Sequence, residues 1–284
     1  MIPGLAGLAA RGVGEVSWPR PVTAVRTVSG PLDCYCPVVL DDPLPFGGPP
    51  PGRDQWVLGQ SFPFSPDTWR DQLPRRDLWP PELDGLLASG PGRWPRVDRR
   101  AVFRVGERAA EPLGAARTLV AADVWGTGTR GLGRVRRLRV FDHGADEVGD
   151  RLATAVRILG ADGPVKAYAY LHGDNRNLIR HLGPSFGTKF LYFAGYDSVP
   201  GGRQPLILDQ YVALALNQLC GLSWPTLGWS TQQYAEYLNR AHSWASEWHT
   251  SPDVIERVLF SVGKADPLVV RVLTGPRPGG ASGY

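Results

Sequence analysis

Lys189 and Asp209 are the two residues whose types and spacing best suit covalent chemistry. They lie 20 positions apart, and Lys189 ends the glycine-containing run Leu182–Lys189, which we interpret as a hairpin. An apolar helix from Phe190 to Tyr196 and a turn separate that hairpin from the apolar run Pro205–Asp209. The chain can therefore bring the two side chains together at two helix N-termini. An amine and a carboxylate so placed can attack and stabilise a sugar carbon that is losing its base.

Each residue also has an ordinary structural interpretation. A lone lysine on a helix is usually a solvated charge, and an aspartate at a helix start is usually an N-cap. The hairpin, the spacing of 20 positions and the apolar run that ends at Asp209 together favour a joint catalytic role for Lys189 and Asp209. A helix N-terminus would keep Asp209 ionised. Burial in a closed pocket would lower the pKa of Lys189, which must lose a proton before it can attack.

The sequence around this pair resembles a known family. Gly187-Thr188-Lys189, an apolar helix and then Pro205-x-x-x-Asp209 are similar to the helix-hairpin-helix DNA glycosylase superfamily, above all to its 8-oxoguanine DNA glycosylase branch. The resemblance covers roughly residues 115–265. It implies a mainly α fold and excision of an oxidised or otherwise modified base, with AP-lyase activity. By the same resemblance, Lys189 attacks C1′ to form a Schiff base, and Asp209 stabilises the sugar cation.

The hairpin predicts contacts to a DNA phosphate. A hairpin glycine lets backbone N–H groups approach a phosphate without a Cβ in the way. Relative to the family pattern, Gly183 comes early and Ser185 with Phe186 occupies the tip. We expect DNA contacts from Gly183, Ser185, Gly187 and Thr188.

Five arginines fall within ten residues, interleaved with glycines: Arg130, Arg134, Arg136, Arg137 and Arg139. They form either a solvated, glycine-broken loop or a strip that faces phosphates, in which Arg134 and Arg136 would contact DNA. The net charge of +4 allows nucleic-acid binding without demonstrating it.

Four aromatic residues are candidates for a base pocket. Trp125 precedes a glycine-rich turn, Phe193 lies one helical turn after Lys189, and Trp244 and Trp248 share a helix face. In the family that these residues resemble, the position of Phe193 contacts the flipped base. Phe193 is equally interpretable as a core residue, and for Trp125, Trp244 and Trp248 the core interpretation is favoured.

Composition limits cofactors and location. Three cysteines cannot form the four-cysteine iron–sulfur loop of some related glycosylases, and no metal-ligand cluster is visible. We expect no cofactor. No stretch approaches the ~20 apolar residues of a membrane helix. The expected protein is a cytoplasmic monomer that binds double-stranded DNA with a flipped modified base.

The chain divides into three predicted regions. Residues 1–98 are rich in proline, glycine and tryptophan and should be largely irregular, with short strands at 22–28 and 38–40, and should pack on the core. Residues 99–270 should form the helical glycosylase-like domain, and 271–284 a disordered tail. Hydrophobic spacing, caps and breakers predict helices over 148–159, 164–173, 174–182, 210–220, 230–247 and 251–262.

Two other functions stay open. A non-catalytic helix-hairpin-helix protein would bind DNA in a salt-dependent way and yield no abasic product. A monofunctional glycosylase would use Lys189 only to position the substrate while Asp209 directs water. Either glycosylase could serve repair or act on foreign DNA that carries modified bases.

Overall fold

Ten α-helices and one two-stranded sheet make up the regular structure of the described part of the chain. The structure, a computed structural model, describes residues 49–86, 94–129, 131–142, 144–173, 178–198 and 202–264. The helices are α1 (Pro66–Gln72), α2 (Arg99–Gly106), α3 (Pro112–Thr127), α4 (Gly131–Leu138), α5 (Ala145–Asp162), α6 (Pro164–His172), α7 (Pro184–Gly195), α8 (Gln210–Cys220), α9 (Thr231–Glu247) and α10 (Pro252–Gly263).

The described residues belong to one compact unit within Pro37–Tyr284. The predicted short strands at 22–28 and 38–40 and the tail 271–284 lie outside the described residues, and the boundary at residue 98 stays a prediction. None of the described helices has the length and apolar character needed to cross a membrane.

The described residues before α2, 49–86 and 94–98, pack against the helices through a small sheet and buried aromatic side chains. Strand β1 (Ser61–Pro63) pairs antiparallel with β2 (Arg96–Asp98). Ser65 caps α1 by accepting a hydrogen bond from the backbone N–H of Thr68, and Trp69 on that helix is fully buried. Large aromatic groups bury enough apolar area to hold a segment with little regular structure.

Helix α3 lies at the centre of the helical unit, where it packs on α2, α5 and α7. Its residues from Leu119 to Trp125 are buried, so the helix is apolar on almost every face. Such a helix belongs in the core of a protein. The exception in this run is Asp123, a carboxylate buried among alanines and valines.

Five of the seven helices predicted from the sequence are confirmed, and the predicted helix from Phe190 to Tyr196 corresponds to the second half of α7. Helices α5, α6, α8, α9 and α10 match their predicted ranges closely. The Ser230–Gln233 capping box is present at the start of α9, and Asp209 caps α8. These local signals are reliable because each one satisfies backbone N–H groups that the first helical turn leaves without partners.

Two local predictions before Lys189 were wrong. The described residues 178–182 form bends and turns, so no helix runs to Leu182. Helix α7 begins at Pro184, so Ser185 and Phe186 lie in its first turn and form no hairpin tip, and Lys189 lies in its second turn. Proline at the first helical position fits a helix start because its missing N–H is not needed there.

Candidate active site

Residues 203–209 form no regular secondary structure, lead directly into α8 and are held by three hydroxyl groups. Thr188 is the first of them. Its Oγ1 accepts a hydrogen bond from the Leu208 backbone N–H at 3.1 Å and lies 3.2 Å from the Leu208 carbonyl oxygen. Because Thr188 precedes Lys189 and Leu208 precedes Asp209, this clamp brings Lys189 and Asp209 side by side.

Two tyrosines of α9 hold the other face of the same segment. The Tyr234 hydroxyl accepts from the Leu206 N–H at 3.3 Å and lies 3.1 Å from the Leu206 carbonyl oxygen. The Tyr237 hydroxyl donates to the Ile207 carbonyl oxygen at 2.9 Å. All four residues are buried, so these bonds satisfy backbone groups that water does not reach. The segment is therefore rigid where it delivers Asp209.

Lys189 and Asp209 meet in a buried site. Lys189 Nζ lies 3.5 Å from Asp209 Oδ2, and the two side chains are 7% and 12% exposed. The ammonium also lies 3.1 Å from Ser185 Oγ and 3.4 Å from the Ser185 carbonyl oxygen. At 3.5 Å the two charged groups attract each other, but this distance is longer than that of a charge-assisted hydrogen bond. Lys189 is thus held in position without a tight ionic partner.

The second oxygen of Asp209 has a structural role. Oδ1 accepts hydrogen bonds from the backbone N–H groups of Tyr211 at 3.0 Å and Val212 at 3.2 Å. These bonds satisfy two backbone N–H groups of the first turn of α8, so Oδ1 fixes the orientation of the carboxyl group. Asp209 therefore presents its other oxygen, Oδ2, toward the amine.

The environment of Lys189 makes its amine a better nucleophile. Burial lowers the pKa of Lys189, and the nearby carboxylates of Asp209 and Glu256 only partly oppose that decrease. A lower pKa increases the fraction of neutral amine near neutral pH, which is the form that attacks carbon.

Phe186 and the backbone of α3 enclose the lysine side chain. Lys189 Nζ lies 5.0 Å from the centre of the Phe186 ring. A Cβ added at Gly126 would lie 3.1 Å from that ring and 3.4 Å from Lys189 Cδ. The glycine therefore lets α3 approach the Lys189 side chain, and any larger residue there would press on it.

Gly187 has a packing role that the hairpin interpretation missed. A Cβ at this position would lie only 2.0 Å from His172 Nε2, so glycine permits the close approach of α6 and α7. Gly183 is the N-cap of α7 with extended backbone, and Thr188 is fully buried. Among the residues predicted to contact a phosphate, Ser185 is partly exposed, and its Oγ lies 3.1 Å from Lys189 Nζ.

The arginine-rich stretch is a helix, α4, and not a loop. Arg134 is buried and donates from Nε to Gln72 Oε1 at 2.7 Å, so it joins α4 to α1. Arg136 is exposed to solvent. Arg137 lies 3.7 Å from the centre of the Phe186 ring, next to the lysine site. The helix separates these arginines onto different faces, and Arg130 lies outside the described residues.

Trp125 and Phe193 contact each other inside the core. Their ring centres are 5.3 Å apart in an edge-to-face arrangement, and Phe62 packs on Trp125 at 5.4 Å. The Trp125 indole N–H donates to the Gln60 carbonyl oxygen at 3.0 Å. Trp125 of α3 and Phe193 of α7 therefore pack on each other as core residues. Trp244 and Trp248 lie on α9 and at its C-cap, and both are buried.

Asp123, Arg137 and Glu256 are charged residues whose charges interact with that of Lys189 and that the sequence interpretation did not select for the site. Burial raises the pKa of the Asp123 carboxyl to about 7, although the charges of Arg137 and Lys189 act to lower it. The signal for Asp123 was present, because an acidic residue interrupts the apolar run of α3. A carboxylate is rarely buried in such a run without a reason.

Fold and site together define a helical protein that presents a buried lysine beside an N-cap carboxylate. The family model described as "Putative 8-oxoguanine DNA glycosylase OGG-like protein" matches residues 55–260, well over half of the chain. The chain belongs to this family, and the predicted 8-oxoguanine glycosylase-like branch is confirmed. No curated protein and no solved structure matches it. Its function is therefore DNA glycosylase-like, with DNA as the partner.

Proposed function

We propose that this protein is a DNA glycosylase with AP-lyase activity, which removes an oxidised or otherwise modified base from duplex DNA. The observation that carries the proposal is the buried contact between Lys189 Nζ and Asp209 Oδ2 at 3.5 Å, on a chain of a glycosylase-like family. Phosphate binding alone requires neither residue at this position. A solvated lysine would not be buried on every side.

Each group has a defined role in the proposed reaction. The neutral amine of Lys189 donates its lone pair to C1′ of a nucleotide flipped out of the duplex. The bond from C1′ to the base breaks, and the base leaves with the electron pair and takes up a proton. Asp209 stabilises the positive charge that develops on the sugar as this bond breaks. Loss of the nitrogen-bound proton and opening of the sugar ring then give a Schiff base.

The surroundings of Lys189 and Asp209 support these separate roles. The backbone N–H groups of Tyr211 and Val212 hold Asp209 Oδ1 in place, so the carboxylate is positioned to stabilise the positive charge on the sugar. The amine has its pKa lowered by burial, as attack requires. The modified base stays open between 8-oxoguanine and others, including bases of foreign DNA. We propose a cytoplasmic monomer, with DNA contacts from Ser185 and Arg136.

Borohydride trapping tests the proposal because it reduces a Schiff base to a stable covalent adduct. The chain has three lysines, Lys166, Lys189 and Lys264, so the modified residue is readily mapped by peptide mass spectrometry. Duplexes would contain 8-oxoguanine, other modified bases or an abasic site. We expect the wild type to form an adduct at Lys189 and to lose it in Lys189→Gln.

Matched variants distinguish the proposed mechanism from its alternatives. Lys166→Gln replaces an exposed lysine and should leave the adduct unchanged. Asp209→Asn should slow base excision by about 10²–10³-fold, as loss of a charge-stabilising group does elsewhere. Excision without any adduct would instead support the monofunctional mechanism. DNA binding with neither adduct nor excision on any duplex would support the binding protein and overturn the proposal.

A further inference from the structure

Three oxygen atoms lie around the amine of Lys189. Nζ is 3.1 Å from Ser185 Oγ, 3.4 Å from the Ser185 carbonyl oxygen and 3.5 Å from Asp209 Oδ2. A protonated lysine has three N–H donors and no acceptor, so these oxygens match the three hydrogens of the ammonium group. The Ser185 hydroxyl is the nearest of the three. It therefore holds the amine more closely than the carboxylate does.

The hydroxyl of Ser185 is committed to the lysine, whereas its carbonyl oxygen is shared. The carbonyl oxygen also lies 3.1 Å from Thr188 Oγ1. Among the residues that the structure describes, Ser185 Oγ has Lys189 Nζ as its hydrogen-bond partner. The N-cap of α7 is Gly183, so the serine hydroxyl does not cap the helix. Helix capping therefore does not account for a serine at this position.

Helix geometry places the hydroxyl next to the amine. Ser185 and Lys189 are four residues apart on α7, so they share a helix face. Pro184 comes directly before the serine, and its ring fixes the backbone at the start of the helix. The Phe186 ring centre lies 5.0 Å from Nζ. The amine is thus surrounded by a serine hydroxyl, an aromatic ring and the Asp209 carboxylate.

Two acceptors can fix the direction of attack once the amine is neutral. A neutral amine keeps two N–H bonds and gains one lone pair, which is the part that attacks carbon. When the N–H bonds point at Ser185 Oγ and Asp209 Oδ2, the lone pair must point away from both oxygens. With a single acceptor, the amine can rotate about the one remaining hydrogen bond. A misdirected nucleophile reacts slowly even at the right distance.

We propose that Ser185 is a positioning residue of Lys189, whose hydroxyl accepts a hydrogen bond from the amine and fixes the direction in which the lone pair attacks C1′. This inference rests on the proposed function, since it assigns a further residue to the same reaction. It also differs from the DNA contact proposed for Ser185. A DNA contact acts on affinity, whereas a positioning residue acts on the rate of the bound complex.

The experiment is single-turnover adduct formation on an abasic-site duplex, with enzyme in excess and above the Kd. Timed samples are quenched in borohydride, so that reduction is the same at every reaction pH. An abasic site is used because its reaction with Lys189 does not depend on which base the enzyme removes. Fluorescence anisotropy measures the affinity of each variant for the same duplex.

Ser185→Ala should slow adduct formation at saturating enzyme by about 10–100-fold, as misplacement of a reacting group does elsewhere. The Kd for the duplex should stay at the wild-type value. Ser185→Thr keeps the hydroxyl and should restore most of the rate. Ser243→Ala removes an exposed serine of α9 and should match the wild type.

The pH profile supplies a signature that a structural defect would not produce. A hydrogen bond to the protonated amine raises the pKa of that amine, so its loss in Ser185→Ala should lower the midpoint of the rate profile. The maximal rate at high pH should fall at the same time. The charged groups that act on the lysine stay in place in this variant: Asp123 of α3, Arg137 of α4, Asp209 before α8 and Glu256 of α10.

Folding of the variants is checked by circular dichroism. Partial misfolding of Ser185→Ala would reduce the amount of adduct and leave the midpoint of the pH profile unchanged. Ser185→Cys provides a second test, because sulfur keeps the size of the side chain but accepts hydrogen bonds weakly. It should show the same lowered rate and midpoint as the alanine variant. Wild-type behaviour of the cysteine variant would contradict the positioning role.

The outcomes that overturn the positioning role differ from those that overturn the glycosylase. Wild-type rate and midpoint in Ser185→Ala would reject the positioning role and leave the proposed function intact. Weaker DNA binding with a wild-type rate at saturation would also reject it, in favour of the DNA contact alone. Excision of a modified base with no adduct would reject Lys189 as nucleophile, and with it the positioning role, but not the glycosylase. Neither adduct nor excision by the wild type would reject both proposals.

Discussion

Two buried ion pairs of this protein show opposite ways of holding a charge away from water. Arg99 and Glu256 are each 1% exposed, and Arg99 Nη1 donates to Glu256 Oε2 at 2.7 Å. Arg99 Nε also donates to Gln60 Oε1 at 3.0 Å. The Lys189–Asp209 pair is nearly as buried, yet its closest approach is 3.5 Å. We call the Arg99–Glu256 pair, which is joined by a short hydrogen bond, the closed pair. We call the Lys189–Asp209 pair, whose closest approach is 3.5 Å, the open pair.

The groups that surround Arg99 and Lys189 also differ. The Arg99 guanidinium lies 4.9 Å from the ring centre of Trp125 and 5.1 Å from that of Tyr192, so aromatic faces replace part of its hydration. Among the described residues, the Phe186 ring lies near the Lys189 amine, and the charge of Lys189 acts on the buried Asp123, whose Oδ1 accepts no hydrogen bond. Charges that are fully paired hold structure together, and a charge left short of partners can take part in a reaction.

Breaking the closed pair should produce the largest effect on stability. Arg99→Met leaves Glu256 buried without its partner and should lower the free energy of unfolding by about 3–5 kcal/mol. Urea unfolding measures this change. Arg100→Met, on the same helix but at the surface, should change it by less than about 1 kcal/mol. An equally small effect of Arg99→Met would show that the two pairs do not differ.

Asp123 should make stability depend on pH. Its folded-state pKa of about 7 is above the unfolded value of about 3.9, so its contribution is fully present below pH ~4 and lost as the pH rises through 7. Asp123→Asn removes this dependence. The variant should gain on the wild type progressively between these limits, by about 4 kcal/mol at most. Urea unfolding at several pH values measures the difference, with Asp150→Asn as the control, and a pH-independent difference would contradict it.

The Thr188 clamp connects stability with the geometry of the open pair. Thr188→Val keeps the shape of the side chain but leaves the buried Leu208 N–H without its acceptor, which should cost about 1–3 kcal/mol. Thr188→Ser keeps the hydroxyl and should retain the clamp. Adduct formation should fall in the valine variant more than in the serine variant, because Asp209 follows Leu208. Equal rates in the two variants would disconnect the clamp from the site.

Breaking the open pair should produce the smallest effect on stability. Lys189→Met removes a poorly paired buried amine, and Asp209 keeps the N–H groups of Tyr211 and Val212. The free energy of unfolding should stay within about 1 kcal/mol of the wild type while adduct formation is lost. Thermal unfolding beside Lys166→Met, an exposed control, measures this. A loss comparable to that of Arg99→Met would mean that Lys189 is a structural residue.

Local signals in the sequence predicted most of the helices and the central pair of the site. The capping box at Ser230 and the aspartate before α8 act on backbone groups next to them, so their effect can be read without knowing the rest of the fold. The same reasoning was wrong before Lys189. Pro184 is compatible with a turn and with a helix start, and nothing local decides between them.

The roles of the individual glycines and arginines depended on packing. Gly187 is a glycine because His172 lies where its side chain would be, and His172 is 15 positions earlier in the chain. Arg134 and Arg136 look alike in the sequence, but the turn of α4 buries the first against Gln72 and exposes the second. A contact between residues distant in sequence leaves no local pattern that could predict it.

The sequence by itself determined the helical class, the family and the pairing of Lys189 with Asp209, because periodicity, caps and the glycine-threonine-lysine step act over short distances. Only the tertiary structure decided that the charge of Lys189 acts on the buried Asp123, that Trp125 and Phe193 pack on each other, and that Arg99 neutralises Glu256. These interactions join α3 to α7 and α2 to α10. The physical reason is that burial, and with it the pKa of a carboxyl or an amine, is set by every element packed around the group and not by its neighbours in the chain.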